Sequence, residues 1–77
     1  MTILEMKESM LNAGVYSKED IDAICQLEAE YASECAVIAI QCEEEGYPSN
    51  GENYELRCVS ARQYYDEQIA LIDAKYE

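Results

Sequence analysis

The chain has no histidine, tryptophan or phenylalanine, one proline, three glycines and only five basic residues. Each scarcity excludes something. Without histidine, the usual general base near neutral pH and the commonest metal ligand are missing, and no lysine stands three or four residues from a serine, cysteine or tyrosine nucleophile. The loop Gly46-Tyr47-Pro48-Ser49-Asn50-Gly51 lacks the lysine and spacing of a phosphate loop, and Asp20-Ile21-Asp22 lacks the continuation of a calcium loop. The expectation is a protein that is not an enzyme, with no catalytic residue, no metal and no cofactor.

Long apolar runs are also absent, which excludes a membrane span, and Met1-Thr2-Ile3-Leu4-Glu5 opens without the basic and apolar regions of a secretory signal. The expected location is the cytoplasm. Thiols are reduced there, and Cys25, Cys35, Cys42 and Cys58 match no zinc or redox spacing. All four fall at apolar helical positions, where cysteine packs as a small hydrophobe.

What the chain has in abundance is acid. Seventeen acidic residues against five basic ones give a formal charge of −12 over 77 residues. Solubility in a small domain needs a magnitude of only about 2–8. Such charge opposes direct binding to nucleic acid or anionic membrane and speeds encounter with a basic surface. The 49% of apolar residues, in periodic array, argues against disorder.

Turn residues cluster only at Asn12 to Ser17 and Gly46 to Asn53, which leaves one domain of three helical segments, approximately 2–13, 17–45 and 53–76. The first carries Ile3, Met6, Met10 and Ala13 on one side and stops at Gly14, a residue suited to the left-handed conformation. The second opens on Ser17-Lys18-Glu19-Asp20, with Ser17 as cap, Asp20 as its reciprocal partner and Tyr16 and Ile21 placed for a hydrophobic staple. Its stripe runs from Ile21 through Ile24, Cys25, Tyr31, Cys35 and Ile38 to Cys42, and the helix ends at Gly46 with Pro48 beyond. The third puts Tyr54, Cys58, Ala61, Tyr65, Ile69, Ile72 and Tyr76 on one face. The predicted fold is all-α: an antiparallel two-helix hairpin with a short N-terminal helix packed on it. Counting outward from a turn near Asn50 sets Cys42 opposite Cys58 and Ile38 opposite Arg62. By that count Glu28 and Arg62, both on apolar stripes, are about ten residues out of step and do not pair within one chain.

Ala29, Ser33, Ala36, Val37 and Ile40 form a second face of the long helix, away from the hairpin stripe. Either the N-terminal helix covers it, the preferred expectation, or a second copy does, as a homodimer. Seven tyrosines are the only aromatics. Tyr47, Tyr54 and Tyr64 lie near the turn or off the main stripe, where an aromatic with a polar tip suits an interface.

The acids also have a pattern. Glu43-Glu44-Glu45 stands at a helix C-terminus, where the macrodipole disfavours carboxylates, and Glu52 and Glu55 join it across the turn. Glu55, Asp66, Asp73 and Glu77 align within about 40° along one flank of the third helix. Glu19, Asp22, Glu30, Glu34 and Glu44 form a file on the second. Solvated faces of any acidic helix give the plain account of such files; the functional account is two rows of carboxylates imitating a nucleic-acid backbone.

In length, acidity, helical simplicity and lack of catalytic residues, the chain resembles the small inhibitors that bacteriophages use against host defence, particularly anti-CRISPR and DNA-mimicking anti-restriction proteins. The resemblance lies in the acidic files and Glu43-Glu44-Glu45, is one of general character, and transfers no binding site. It implies a basic nucleic-acid-binding partner, such as a CRISPR effector, whose channel the protein occupies. Partner-binding candidates are Glu30, Glu34, Glu43, Glu44, Glu45, Glu52, Glu55, Asp66, Asp73, Glu77, Tyr47 and Tyr54. The competing account is a structural or regulatory module, antitoxin-like or bridging, that binds through its apolar and tyrosine surface.

Overall fold

A computed structural model describes residues 2–76. Its elements are α1 (Ile3–Ala13), α2 (Lys18–Glu44), α3 (Glu52–Asp73) and a closing 3₁₀ turn, η1 (Ala74–Tyr76), with no strand among the described residues. Both α1 and α3 pack on α2, so the fold is the all-α hairpin with a short N-terminal helix.

The helix ends are set locally. Thr2 caps α1 by accepting the Glu5 amide at 3.1 Å, and Ser17 caps α2 by accepting the Asp20 amide at 3.2 Å. The reciprocal half of the expected capping box is supplied from elsewhere: the Ser17 amide donates to the Tyr76 hydroxyl at 3.0 Å, while the Asp20 carboxylate receives Lys75 and that same hydroxyl. Gly14 ends α1 at φ 67°. At the other turn Gly46, φ 88°, lets the Tyr47 amide reach the Cys42 carbonyl at 2.8 Å and its own amide reach that of Glu43 at 3.1 Å. This is the Schellman arrangement that satisfies the last carbonyls of a helix.

Among the described residues seven side chains are buried: Ile21, Ile24, Cys25, Ile38, Cys42, Cys58 and Tyr65. Ile38, Cys42 and Cys58 form one cluster near the turn, edged by Cys35, Tyr54 and Ala61. Tyr54, expected at an interface, thus serves the core. The molecule is a rod of 46 × 22 × 16 Å with 5362 Å² of accessible surface. A compact 8.8 kDa protein exposes about 4,800 Å², so roughly a tenth of the surface is in excess.

Two further expectations fail. Arg62 does pair with Glu28, its two terminal guanidinium nitrogens reaching the two carboxylate oxygens at 2.9 and 2.8 Å. The symmetric count held only near the turn. Further out, Tyr65 meets Tyr31 and Glu34, so the register has shifted toward Glu28 and the axial gap left for Arg62 is shorter than the count implies. A long arginine stem spans that. Nor does α1 cover the whole face of Ala29, Ser33, Ala36, Val37 and Ile40: Ala29 is half-buried, but Ser33 and Ala36 are exposed, Val37 is 52% and Ile40 57% exposed. The four-residue connection 14–17 folds α1 back beside the start of α2, and its eleven residues end before that face begins.

Cys42, 0% exposed, is the least exposed of the core residues. Cys42→Ser buries a hydroxyl among apolar neighbours and should lower the unfolding free energy by about 1–3 kcal/mol. Urea denaturation under reducing conditions measures it. Cys35→Ser, at the half-buried edge, should cost less.

Candidate functional site: the acidic surface

Charge cancellation is unevenly distributed. Lys7 pairs with Asp22 at 3.0 Å, Arg57 with Glu45 at 2.8 Å, Arg62 with Glu28 at 2.8 Å and Asp66 at 2.8 Å, and Lys75 with Asp20 at 3.1 Å. Arg62 also lies over the Tyr31 ring, 4.9 Å from its centroid. Its bidentate grip holds the Glu28 carboxyl below the usual carboxylate range and pushes the arginine's own pKa upward. These pairs remove Asp22 from the α2 file and Asp66 from the α3 flank as free charges.

Other candidates are bonded to neutral donors and keep their charge. The Tyr65 hydroxyl donates to Glu34 at 2.7 Å, the Tyr16 hydroxyl to Asp73 at 2.6 Å and the Gln26 side-chain amide to Glu30 at 3.2 Å. The carboxylate beside Tyr65 pushes that phenol up to about 12, and Asp73 likewise raises Tyr16. Such bonds orient the carboxylates without neutralising them. Asp73 is half-buried by its partner, whereas Glu30 and Glu34 remain exposed.

The hairpin tip differs. Glu43, Glu44, Glu45, Glu52 and Glu55 are all exposed, and among the described residues Arg57, on Glu45, is the one cation paired with any of them. That arginine grips Glu45 through two bonds of 2.8 and 3.1 Å, holding its carboxyl below the usual range. It lies 6.0 Å from the centroid of Tyr47, which is 43% exposed. Glu52 and Glu55 stand in the first turn of α3, where the helix dipole favours acid; the last turn of α2, carrying Glu43 and Glu44, has no basic residue. Glu77 lies outside the described residues.

The sequence reading missed the residues that bind these acids. Arg62 signalled itself as a cation on an apolar stripe, but its pairing depended on register. The hydroxyls of Tyr16 and Tyr65 gave no signal, since tyrosine's apolar body places it and its tip finds whatever acid is near.

The described residues enclose no pocket and hold no group of three or more acids, cysteines or histidines placed to take a metal ion. No helix among them is long and apolar enough to cross a membrane. No protein-family model, curated protein or solved structure matches this chain.

Two measurements check the electrostatics. Arg62→Met leaves Glu28 half-buried and unpaired and should cost about 1–3 kcal/mol of stability, the range for hydrogen bonds to charged groups; Arg62→Lys, which cannot grip both oxygens, should fall between. For Tyr65, the folded pKa is raised from the ordinary 10.0 to about 12. Its contribution is therefore complete below pH 10 and lost as pH rises toward 12. Melting temperature should drop across that window, and Tyr65→Phe should reduce the drop.

Proposed function

We propose that this chain is an acidic protein inhibitor that binds a basic nucleic-acid-binding effector and blocks access of DNA or RNA by presenting carboxylates in place of phosphates, as an anti-CRISPR or other phage anti-defence protein does. The observation that carries the reading is the tip: five exposed glutamates against one arginine, two of them on a last helical turn without a cation. Carboxylates there cost a few tenths to about 1 kcal/mol each at low salt, so local folding does not account for them. Glu30 and Glu34 extend the acidic surface along α2. Direct nucleic-acid binding is opposed by the net charge of −12. The four free thiols suit the reducing cytoplasm.

A second reading, a regulatory or bridging module bound through apolar surface, is favoured by a separate observation. Val37, Ile40, Leu56, Val59, Tyr64 and Leu71 are each more than half exposed. In that case charge only steers the encounter.

The partner captured from the native host should release the protein when duplex DNA is added and as salt rises. Exposed ion pairs contribute about 0.2–1 kcal/mol each, so no single substitution should abolish binding, whereas Glu43→Gln, Glu44→Gln, Glu52→Gln and Glu55→Gln together should weaken it about tenfold or more. If the folded quadruple variant binds as well as its parent, the tip is not the contact.

A further inference from the structure

We infer that the stretch of α2 beyond α1 is a docking slot for one amphipathic helix of the partner, apolar on its inner face and carrying lysine or arginine at the margin. The inference rests on the reading that the partner is basic, and it names the element that partner inserts.

The molecule already shows how this groove holds a helix. On α1 only Met6, Lys7 and Met10 are drawn out of full exposure, and Lys7 reaches Asp22 at 3.0 Å. The docked face is thus two flexible apolar side chains with a cation beside them on an acid. With Lys7 level with Asp22 and the helices antiparallel, Ile3 lies at about the level of Gln26. From there α2 continues to Glu44, about five turns along which α1 no longer covers this face.

The same face recurs along that length. Eleven residues advance a helix by three turns plus about 20°; from Asp22 and Cys25 that leads to Ser33 and Ala36, both exposed. Fifteen residues add about 60° and lead to Val37 and Ile40, 52% and 57% exposed. Small residues at Ala29, Ser33 and Ala36 allow a close axis approach, and Val37 and Ile40 supply apolar area. At the far end Glu43, five turns on from Cys25 and on the same face, occupies the place Asp22 holds at the near end. The acidic flank of α3 borders the same side. Its Asp73 receives Tyr16 from the α1–α2 connection, its Asp66 shares Arg62 with Glu28, and Glu55 stands at the tip end with no ion pair among the described residues.

These surroundings choose the occupant. A second copy would bring another net charge of −12 to a rim that is already acidic; a helix with cations at its margins meets Glu43 and Glu55 as Lys7 meets Asp22.

The probe is a labelled fifteen-residue helical peptide with leucines on one face and lysines at its margins, beside a peptide of equal charge with glutamine for leucine. Anisotropy is measured against the full chain, Val37→Ser with Ile40→Ser, Leu71→Ser, and the quadruple tip variant. The leucine peptide should bind the parent and Leu71→Ser alike, and the loss of two aliphatic contacts should weaken it about tenfold or more. The glutamine peptide should bind more weakly by a similar factor. Binding that ignores Val37 and Ile40 but fails on tip neutralisation overturns the slot and leaves the charge reading standing. The reverse pattern overturns both the charge reading and the basic chemistry of the occupant. Failure of the leucine peptide to bind the parent, or a parent dimer that Val37→Ser with Ile40→Ser dissociates, overturns the proposal.

Discussion

Four of the five cations tie the rest of the chain to α2 or its C-cap: Lys7 from α1, Arg57 and Arg62 from α3, and Lys75 from η1. With seven buried side chains among the described residues and a large surplus of acid, the helices have little apolar area to hold them against mutual repulsion. The pairs matter less for their individual strength, about 0.2–1 kcal/mol when exposed, than for their location at every joint. Arg62 is the strongest of them. Its fork satisfies both Glu28 oxygens, its third nitrogen takes Asp66, and its face covers Tyr31.

Spending the cations at the joints fixes where uncancelled charge is left. Along the hairpin Asp20, Asp22, Glu28, Glu34, Asp66 and Asp73 are tied to arginine, lysine or tyrosine; at the tip Arg57 pairs with one of five glutamates. The same economy leaves apolar surface open. A short α1 covers the start of α2 and no more, so Val37 and Ile40 lie next to the acidic tip. A surface with both features suits a partner that is basic and helical, where charge speeds encounter and apolar contact holds the complex.

The open end of the hairpin is closed by the C-terminal turn rather than by the expected local capping box. Tyr76 accepts the Ser17 amide and donates to Asp20, and its ring meets that of Tyr16 edge-on at 4.9 Å between centroids. Tyrosine therefore does three jobs here: core at Tyr65, clasp at Tyr16 and Tyr76, and exposed aromatic at Tyr47 and Tyr64.

The sequence by itself determined the elements: three helices, the Ser17 cap, the glycine stops and the stripe of Ile38, Cys42 and Cys58, because caps, glycine conformations and apolar spacing act over three or four residues. It also determined the surplus of acid and its concentration around the turn. Tertiary structure alone decided which acids stay free, that Arg62 reaches Glu28, that Tyr76 completes the cap of α2, and that α1 leaves half of its groove uncovered. Each depends on the register and reach of one helix against another. A displacement of one turn, about 5.4 Å, changes every partner while leaving each helix's own pattern of residues the same.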